Sequence, residues 1–261
     1  MTFDPEDSRT ALGSGMSCFP VTHAREDFGF DEDPYREHVA WLTSFPVAAL
    51  FVAAGTGEFP ALTPPEVEQV VRAAVAESSA PVIAPAGYGT AEAVAMARDA
   101  EEAGAAAVLL LRPYLTVLPP AARVEHVRAV CAATDLGVIV PARAGFDAVW
   151  RLADEWPNLL GMSDGATACV PAIANFAPRF ALDLHAAALA GDTAAVRRGL
   201  DDFVLPYLDI RDRREGYGVA VVKAALTAVG RPAGPVRPPL TDLTATELGE
   251  LTALVEKVVV A

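Results

Sequence analysis

The stretch Ala54-Gly55-Thr56-Gly57-Glu58-Phe59 places two glycines, a hydroxyl and a carboxylate within six residues. Glycines let backbone N–H groups approach a ligand. Exposed amides at Gly55, Thr56 and Gly57, together with the Thr56 hydroxyl, can hold a carboxylate or a phosphate. The same residues serve equally well as a tight turn with no ligand. Amine chemistry has few candidates, because only Lys223 and Lys257 among the 20 basic residues are lysines. Lys223 falls in a helical stretch and reads as a helix lysine with a solvated head. Lys257 falls near the end of the last helix, where a cation suits the helix dipole. Arg143 follows an apolar run and can grip a carboxylate with two parallel hydrogen bonds, or pair with an acid such as Asp164. Glu58 reads as a turn or helix-end carboxylate rather than a base, and His23 as a surface-loop residue, with the barrel mouth as its alternative. His38, His126 and His185 lie in helical patterns without the spacing of metal ligands, so no metal site is expected.

These residues need a frame, and the apolar pattern supplies one. Short apolar runs at Met16–Thr22, Ala48–Ala53, Pro81–Ala86, Ala106–Leu111, Leu136–Val140 and Leu159–Met162 alternate with helix-length intervals. That is the rhythm of βα units on a parallel sheet, with strands near-continuous in apolar residues because helices cover them. The first helix is expected over Pro34–Thr43 with Asp33 as its cap. The next, near Pro64–Ser78, opens with Thr63 and Glu66 in a capping box. A helix at Thr90–Ala103 ends at Gly104. Pro120–Ala133 and the stretch near Phe146–Glu155 complete the barrel-type helices. The GTGE turn thus sits after the second strand, at the end of a parallel sheet where ligands bind. After Met162 the rhythm breaks. Ala166–Phe176 follows too closely to be an adjacent parallel strand, which needs a crossover of at least ~10–12 residues. From there on the pattern is helical: Phe180–Leu189, Thr193–Leu208, Tyr217–Val229 and Ala245–Val259, with Asp192 and Thr244 as caps.

The chain's 261 residues match a single α/β barrel, for which ~250 is typical. The reading is an α/β chain of (β/α)-barrel units over 1–178, with C-terminal helices over 179–261 packed on the same domain. A net charge of −14 makes nucleic acid and anionic membranes poor partners. No apolar run reaches the ~20 residues of a membrane span. The acidic, polar start is not expected to act as a signal peptide. Cys18, Cys131 and Cys169 are widely spaced, which points to a reducing cytoplasm and not to a disulfide framework. No Gly-x-Gly-x-x-Gly follows the first strand, and no cofactor is expected.

Several stretches together resemble one family. GTGEF followed by LTPPEVEQVVRAAV is similar to the 5-dehydro-4-deoxyglucarate dehydratases of the dihydrodipicolinate synthase and N-acetylneuraminate lyase superfamily. LPYLDIR, GYGVAVVKAAL and AGPVRPPLTDLT in the tail fit more closely still, and CFPVT and RPYLT agree. The resemblance implies a TIM-type barrel, a small 2-keto-acid-like carboxylate as ligand, and a homo-oligomer; a non-catalytic paralog would instead form a hetero-assembly with an active homologue. It also implies a chemistry. A lysine at the end of the sixth strand condenses with the ketone, and the iminium acts as an electron sink. A tyrosine at the end of the fifth strand relays protons. The ligand carboxylate rests on the GTGE turn, and Tyr114 aligns with a position near the ligand.

This chain departs from that pattern at its centre. Where the family reads Gly-Phe-Lys-Asp-Gly, this chain has Gly161-Met162-Ser163-Asp164-Gly165. Where the family has a tyrosine after Val-Ile-Val, this chain has Pro141. Ser163 can hydrogen-bond a ligand but cannot form an iminium. Relative to the family, one helix, one strand and another helix are missing between Asp164 and Phe176, so the barrel is expected to be incomplete. The leading expectation is a divergent member that binds a keto acid through Gly55, Thr56 and Gly57, with Tyr114, Arg143 and Ser163 around the reacting end, and without Schiff-base catalysis: a pseudoenzyme or a repurposed protein. The alternative is an active lyase of the dehydratase type, or an enzyme using the same pocket without a Schiff base.

Overall fold

The computed structural model describes residues 15–113, 119–140 and 172–259. Four strands form one parallel sheet in sequential order: β1 (Leu50–Phe51), β2 (Val82–Ala86), β3 (Ala107–Leu110) and β4 (Gly137–Ile139). The register sets Leu50 beside Val82, Ile83 beside Ala107 and Leu109 beside Ile139. The first apolar run joins this wall before β1. Cys18 N–H donates to Ala49 O, and Phe51 N–H donates to Cys18 O. Five of the expected runs therefore stand side by side in chain order, and every residue of β1, β2 and β3 is buried. Both faces are covered, which is why their sequences are apolar throughout rather than alternating.

The covering helices are α1 (Glu32–Leu42), α2 (Pro64–Glu77), α3 (Thr90–Glu102) and α4 (Pro120–Cys131). Helix α1 begins two residues before the expected Pro34, with Asp31 and not Asp33 at its cap position. Glu32 and Asp33 occupy its first turn, where carboxylates face the positive end of the helix dipole. Helix α2 opens as expected: the Glu66 carboxylate accepts from both the Thr63 N–H and the Thr63 hydroxyl at 2.9 Å. Helix α3 stops at Gly104, which takes φ 84°. Valines and alanines of α2 and α3 pack against the sheet in the main core, with Val70, Ala74, Ala93 and Ala97 at 0 % exposure.

The C-terminal part is helical: α5 (Pro178–Leu189), α6 (Thr193–Gly199), α7 (Leu205–Arg211), α8 (Tyr217–Ala228) and α9 (Ala245–Val259). The single helix expected over Thr193–Leu208 is α6 and α7 joined by a π-helical turn at Leu200–Val204. A second core runs through these helices, built on Phe176, Phe203, Tyr207, Val222 and Leu251, and it takes in Val21 from the start of the chain. Residues 172–175, within the stretch that breaks the βα rhythm, form a turn of 3-10 helix. The sixth run, Leu159–Met162, lies outside the described residues.

Candidate functional site

In a parallel wall all strands end on the same side. That side carries Thr22 at the end of the first run with His23 after it, the Gly55–Glu58 turn after β1, and Tyr88 after β2. Phe59 N–H donates to Ala54 O and Glu58 N–H to Gly55 O, both at 3.0 Å, which closes the turn. Ala53 (φ 48°) and Glu58 (φ 62°) are both left-handed. Gly57 is required here, because a Cβ at this position would lie 2.7 Å from Ala53 Cα, against backbone that cannot yield. The Thr22 hydroxyl fastens the turn by donating to Gly57 O at 2.7 Å. Among the described residues, the N–H groups of Gly55, Thr56 and Gly57 and the Thr56 hydroxyl have no protein partner. The turn therefore presents unengaged donors at the sheet end, as an anion-holding loop must.

A buried charge pair stands beside the turn. Lys223 Nζ lies 2.6 Å from Glu58 Oε1, with the two side chains 2 % and 1 % exposed. Lys223 also donates to Pro235 O at 2.8 Å. The other Glu58 oxygen accepts from the Arg237 N–H at 2.6 Å. The Arg237 side chain, itself buried, reaches Ala61 O and the Glu66 carboxylate. Burial pulls the Lys223 ammonium below its usual range, and the Glu58 carboxylate opposes that shift. The expectation of a solvated Lys223 head is thus corrected. Helix α8 is apolar on nearly every side and is buried, so its one lysine goes inward and must be paired.

His23 is likewise buried and is not a surface residue. It sits against His38 (centroids 5.2 Å apart) and Tyr35 (6.0 Å). Burial first, then His38 and Lys223, push its pKa down to about 2, so it stays neutral. His38 donates to Asn175 Oδ1 at 3.3 Å, and that oxygen also accepts from Val21 N–H. On the other side of the turn Phe59 stacks on Tyr88, with centroids 4.9 Å apart. Only a glycine at 87 leaves room for the Phe59 ring, which a Cβ would approach to 2.8 Å.

Of the residues singled out from the sequence, Gly55, Thr56 and Gly57 are brought together on one turn. Tyr114, Arg143, Ser163 and Pro141 lie outside the described residues. Lys257 is exposed on the last turn of α9. Among the described residues no group of three or more His, Cys, Asp or Glu is placed to hold a metal, and no helix is long and apolar enough to cross a membrane. The sequence reading missed Tyr88 and the role of Arg237. It named Lys223 and Glu58 without joining them. The available signal was a lone lysine in an otherwise apolar helix.

Comparison with known proteins agrees with this architecture. The chain matches the dihydrodipicolinate synthetase family over residues 13–162 and 148–258. It is 48% identical over 302 positions to a probable 5-dehydro-4-deoxyglucarate dehydratase of Rhodococcus opacus, covering 99% of each chain. It is 49% identical over 299 positions to the protein of the same name in Saccharopolyspora erythraea, covering 98% of this chain and 97% of that one. Both alignments are longer than this chain while spanning nearly all of each partner, so the relatives carry internal sequence that this chain lacks. The crystal structure of dihydrodipicolinate synthase from Agrobacterium tumefaciens superposes with a TM-score of 0.84 at 24% identity, covering 97% of this chain and all of that one. That likeness gives the fold, a TIM-type barrel of parallel strands with helices around it and a helical C-terminal part. Matched along almost its whole length, the chain belongs to the dihydrodipicolinate synthetase family of lyases and dehydratases.

Proposed function

We propose that this protein takes a small 2-keto acid of the 5-dehydro-4-deoxyglucarate class as its ligand and acts on it as a dehydratase-type lyase. The observation that carries this reading is the turn at Gly55–Gly57, which offers three amide N–H groups and a hydroxyl at the carboxyl end of β1 with no acceptor among the described residues. A carboxylate seated there takes up those donors, and its ketone then points along the sheet end toward the residues that follow the later strands. Relatives nearly half identical over the whole chain carry the dehydratase name, which supports this class of ligand over phosphate.

One observation favours a second reading, binding without turnover. Loss of water from a keto acid needs an electron sink, and the family pattern supplies it with a lysine where this chain has Ser163. Lys257 is exposed on α9, and Lys223 is engaged with Glu58 and Pro235. By the same resemblance Pro141 stands at the tyrosine position, where it supplies no proton relay. The two readings part in one experiment. Purified protein is incubated with pyruvate and with 5-dehydro-4-deoxyglucarate, with and without borohydride, and followed by mass spectrometry, substrate consumption and thermal shift. Consumption with a reduced adduct on a lysine supports the lyase. A rise in Tm without consumption or adduct supports the binding protein, since a ligand held only by the folded state stabilises it. Neither consumption nor a shift with either keto acid at millimolar concentration overturns both.

A further inference from the structure

We infer that the buried Lys223–Glu58 pair is a positioning device that holds the Gly55–Gly57 turn in its ligand-ready shape from behind. The inference rests on the turn as the carboxylate seat. Glu58 is the hinge residue. It is neither glycine nor asparagine, yet it is held at φ 62°, ψ 36°, a conformation that its Cβ disfavours. Something must over-determine it. Each carboxylate oxygen is drawn to one fixed donor: Oε1 to Lys223 Nζ at 2.6 Å and Oε2 to the Arg237 N–H at 2.6 Å. Lys223 is anchored in turn on Pro235 O. These donors come from α8 and from the Pro235–Arg237 segment, not from the barrel wall.

A Lys–Glu pair this deeply buried adds little net stability over two apolar side chains, because both charges have given up water. What it adds over an apolar pair is direction. The two pulls fix the Glu58 side chain, hence its backbone, hence the N–H of Glu58 and of Phe59 that close the turn on Gly55 O and Ala54 O. From the opposite side the Thr22 hydroxyl pins Gly57 O. Thr56 stands between these two fastenings. Neither Lys223 nor Glu58 need touch the ligand to set its affinity.

The test separates positioning from folding. In the double variant Glu58→Gln/Lys223→Met no charge is left buried alone, and the amide oxygen can still accept from Arg237. In Glu58→Asp the charge on Lys223 stays balanced, but the shorter arm cannot meet both donors. Both variants should keep a cooperative melt. In both, hydrogen exchange at the Glu58 and Phe59 amides should quicken, and pyruvate should bind about tenfold more weakly by calorimetry, as expected when a binding group loses its supporting contacts. Lys223→Arg, which keeps charge and donors, should restore part of the affinity. Wild-type exchange at those two amides in either folded variant overturns the inference, and so does unchanged pyruvate affinity. If the wild-type protein itself binds no keto acid, the proposed ligand falls, while exchange at Glu58 and Phe59 still decides the brace.

Discussion

Replacing Asn175 by alanine asks how firmly the beginning of the chain is fastened to its C-terminal part. Asn175 has 0 % exposure and four hydrogen bonds. Its Oδ1 accepts from Val21 N–H at 2.9 Å and from His38 Nε2 at 3.3 Å. Its Nδ2 donates to Phe19 O at 2.9 Å and Ala172 O at 3.0 Å. Alanine strands the Val21 N–H and the His38 N–H, both in fully enclosed positions, and takes the Asn175 donor from the carbonyls of the half-buried Phe19 and Ala172. Each stranded buried group costs about 1–3 kcal/mol. Two such groups, with the two carbonyls rescued by water, give an expected loss of about 3–5 kcal/mol. That is a large share of the ~5–15 kcal/mol that holds a domain folded. Urea unfolding, followed by the fluorescence of Trp41 beside His38, should show the midpoint fall by more than about 1 M for a slope of ~1–3 kcal/mol per M. Asn175→Asp keeps an acceptor for Val21 but turns a second oxygen toward two carbonyls, and should be no better than alanine. A loss under about 1 kcal/mol for both variants would show that these bonds are readily replaced, and the reasoning would fail.

Three further outcomes are expected. Gly57→Ala drives a methyl to 2.7 Å from Ala53 Cα; it should lower stability by about 1–3 kcal/mol and abolish pyruvate binding, read by thermal melts and calorimetry. Gly234 takes φ 73°, and a Cβ there would lie 1.8 Å from Ala24 O, so Gly234→Ala should cost about 3 kcal/mol or more in urea titration. Burial lowers the His38 pKa from 6.5 to about 4, and its bond to Asn175 offsets only part of that shift. The unfolded chain therefore takes up this proton below pH 6.5 while the folded one does not until about pH 4. Stability is complete above 6.5 and drains away across that window at up to ~1.4 kcal/mol per pH unit, with His23 adding a slope of the same sign. His38→Gln should flatten the acid limb by about 3 kcal/mol between pH 7 and 4; equal slopes for variant and wild type would refute this assignment.

What could be read from residue order is local. Thr63 and Glu66 announced the start of α2, Gly104 the end of α3, and Asp192 the start of α6, where it accepts from the Ala195 N–H. The apolar runs gave the parallel wall because burial on both faces writes itself into consecutive residues. Asp33 misled by two positions, since Asp31, Glu32 and Asp33 all suit a helix start and composition does not rank them. The fate of Lys223 was not legible. Its partner stands 165 residues earlier, and a single lysine in an apolar helix looks the same whether its head snorkels out or is buried against a carboxylate. His23 was misread because its burial is a tertiary contact, made against Tyr35 and His38 of α1. The GTGE turn was found because glycine spacing is a backbone requirement, whereas the fastenings around it are side-chain contacts between distant stretches.

That separation in sequence has a consequence for synthesis. The seat after β1 is specified within the first sixty residues, yet Glu58 meets its donors only at Lys223 and Arg237, and Val21 meets its acceptor only at Asn175. Loops of more than 150 residues must close before either contact forms. A nascent chain emerging from the ribosome can pair its early strands long before it owns a finished pocket. For the proposed keto acid, capture would therefore be a late event, available only once nearly the whole polypeptide has been released.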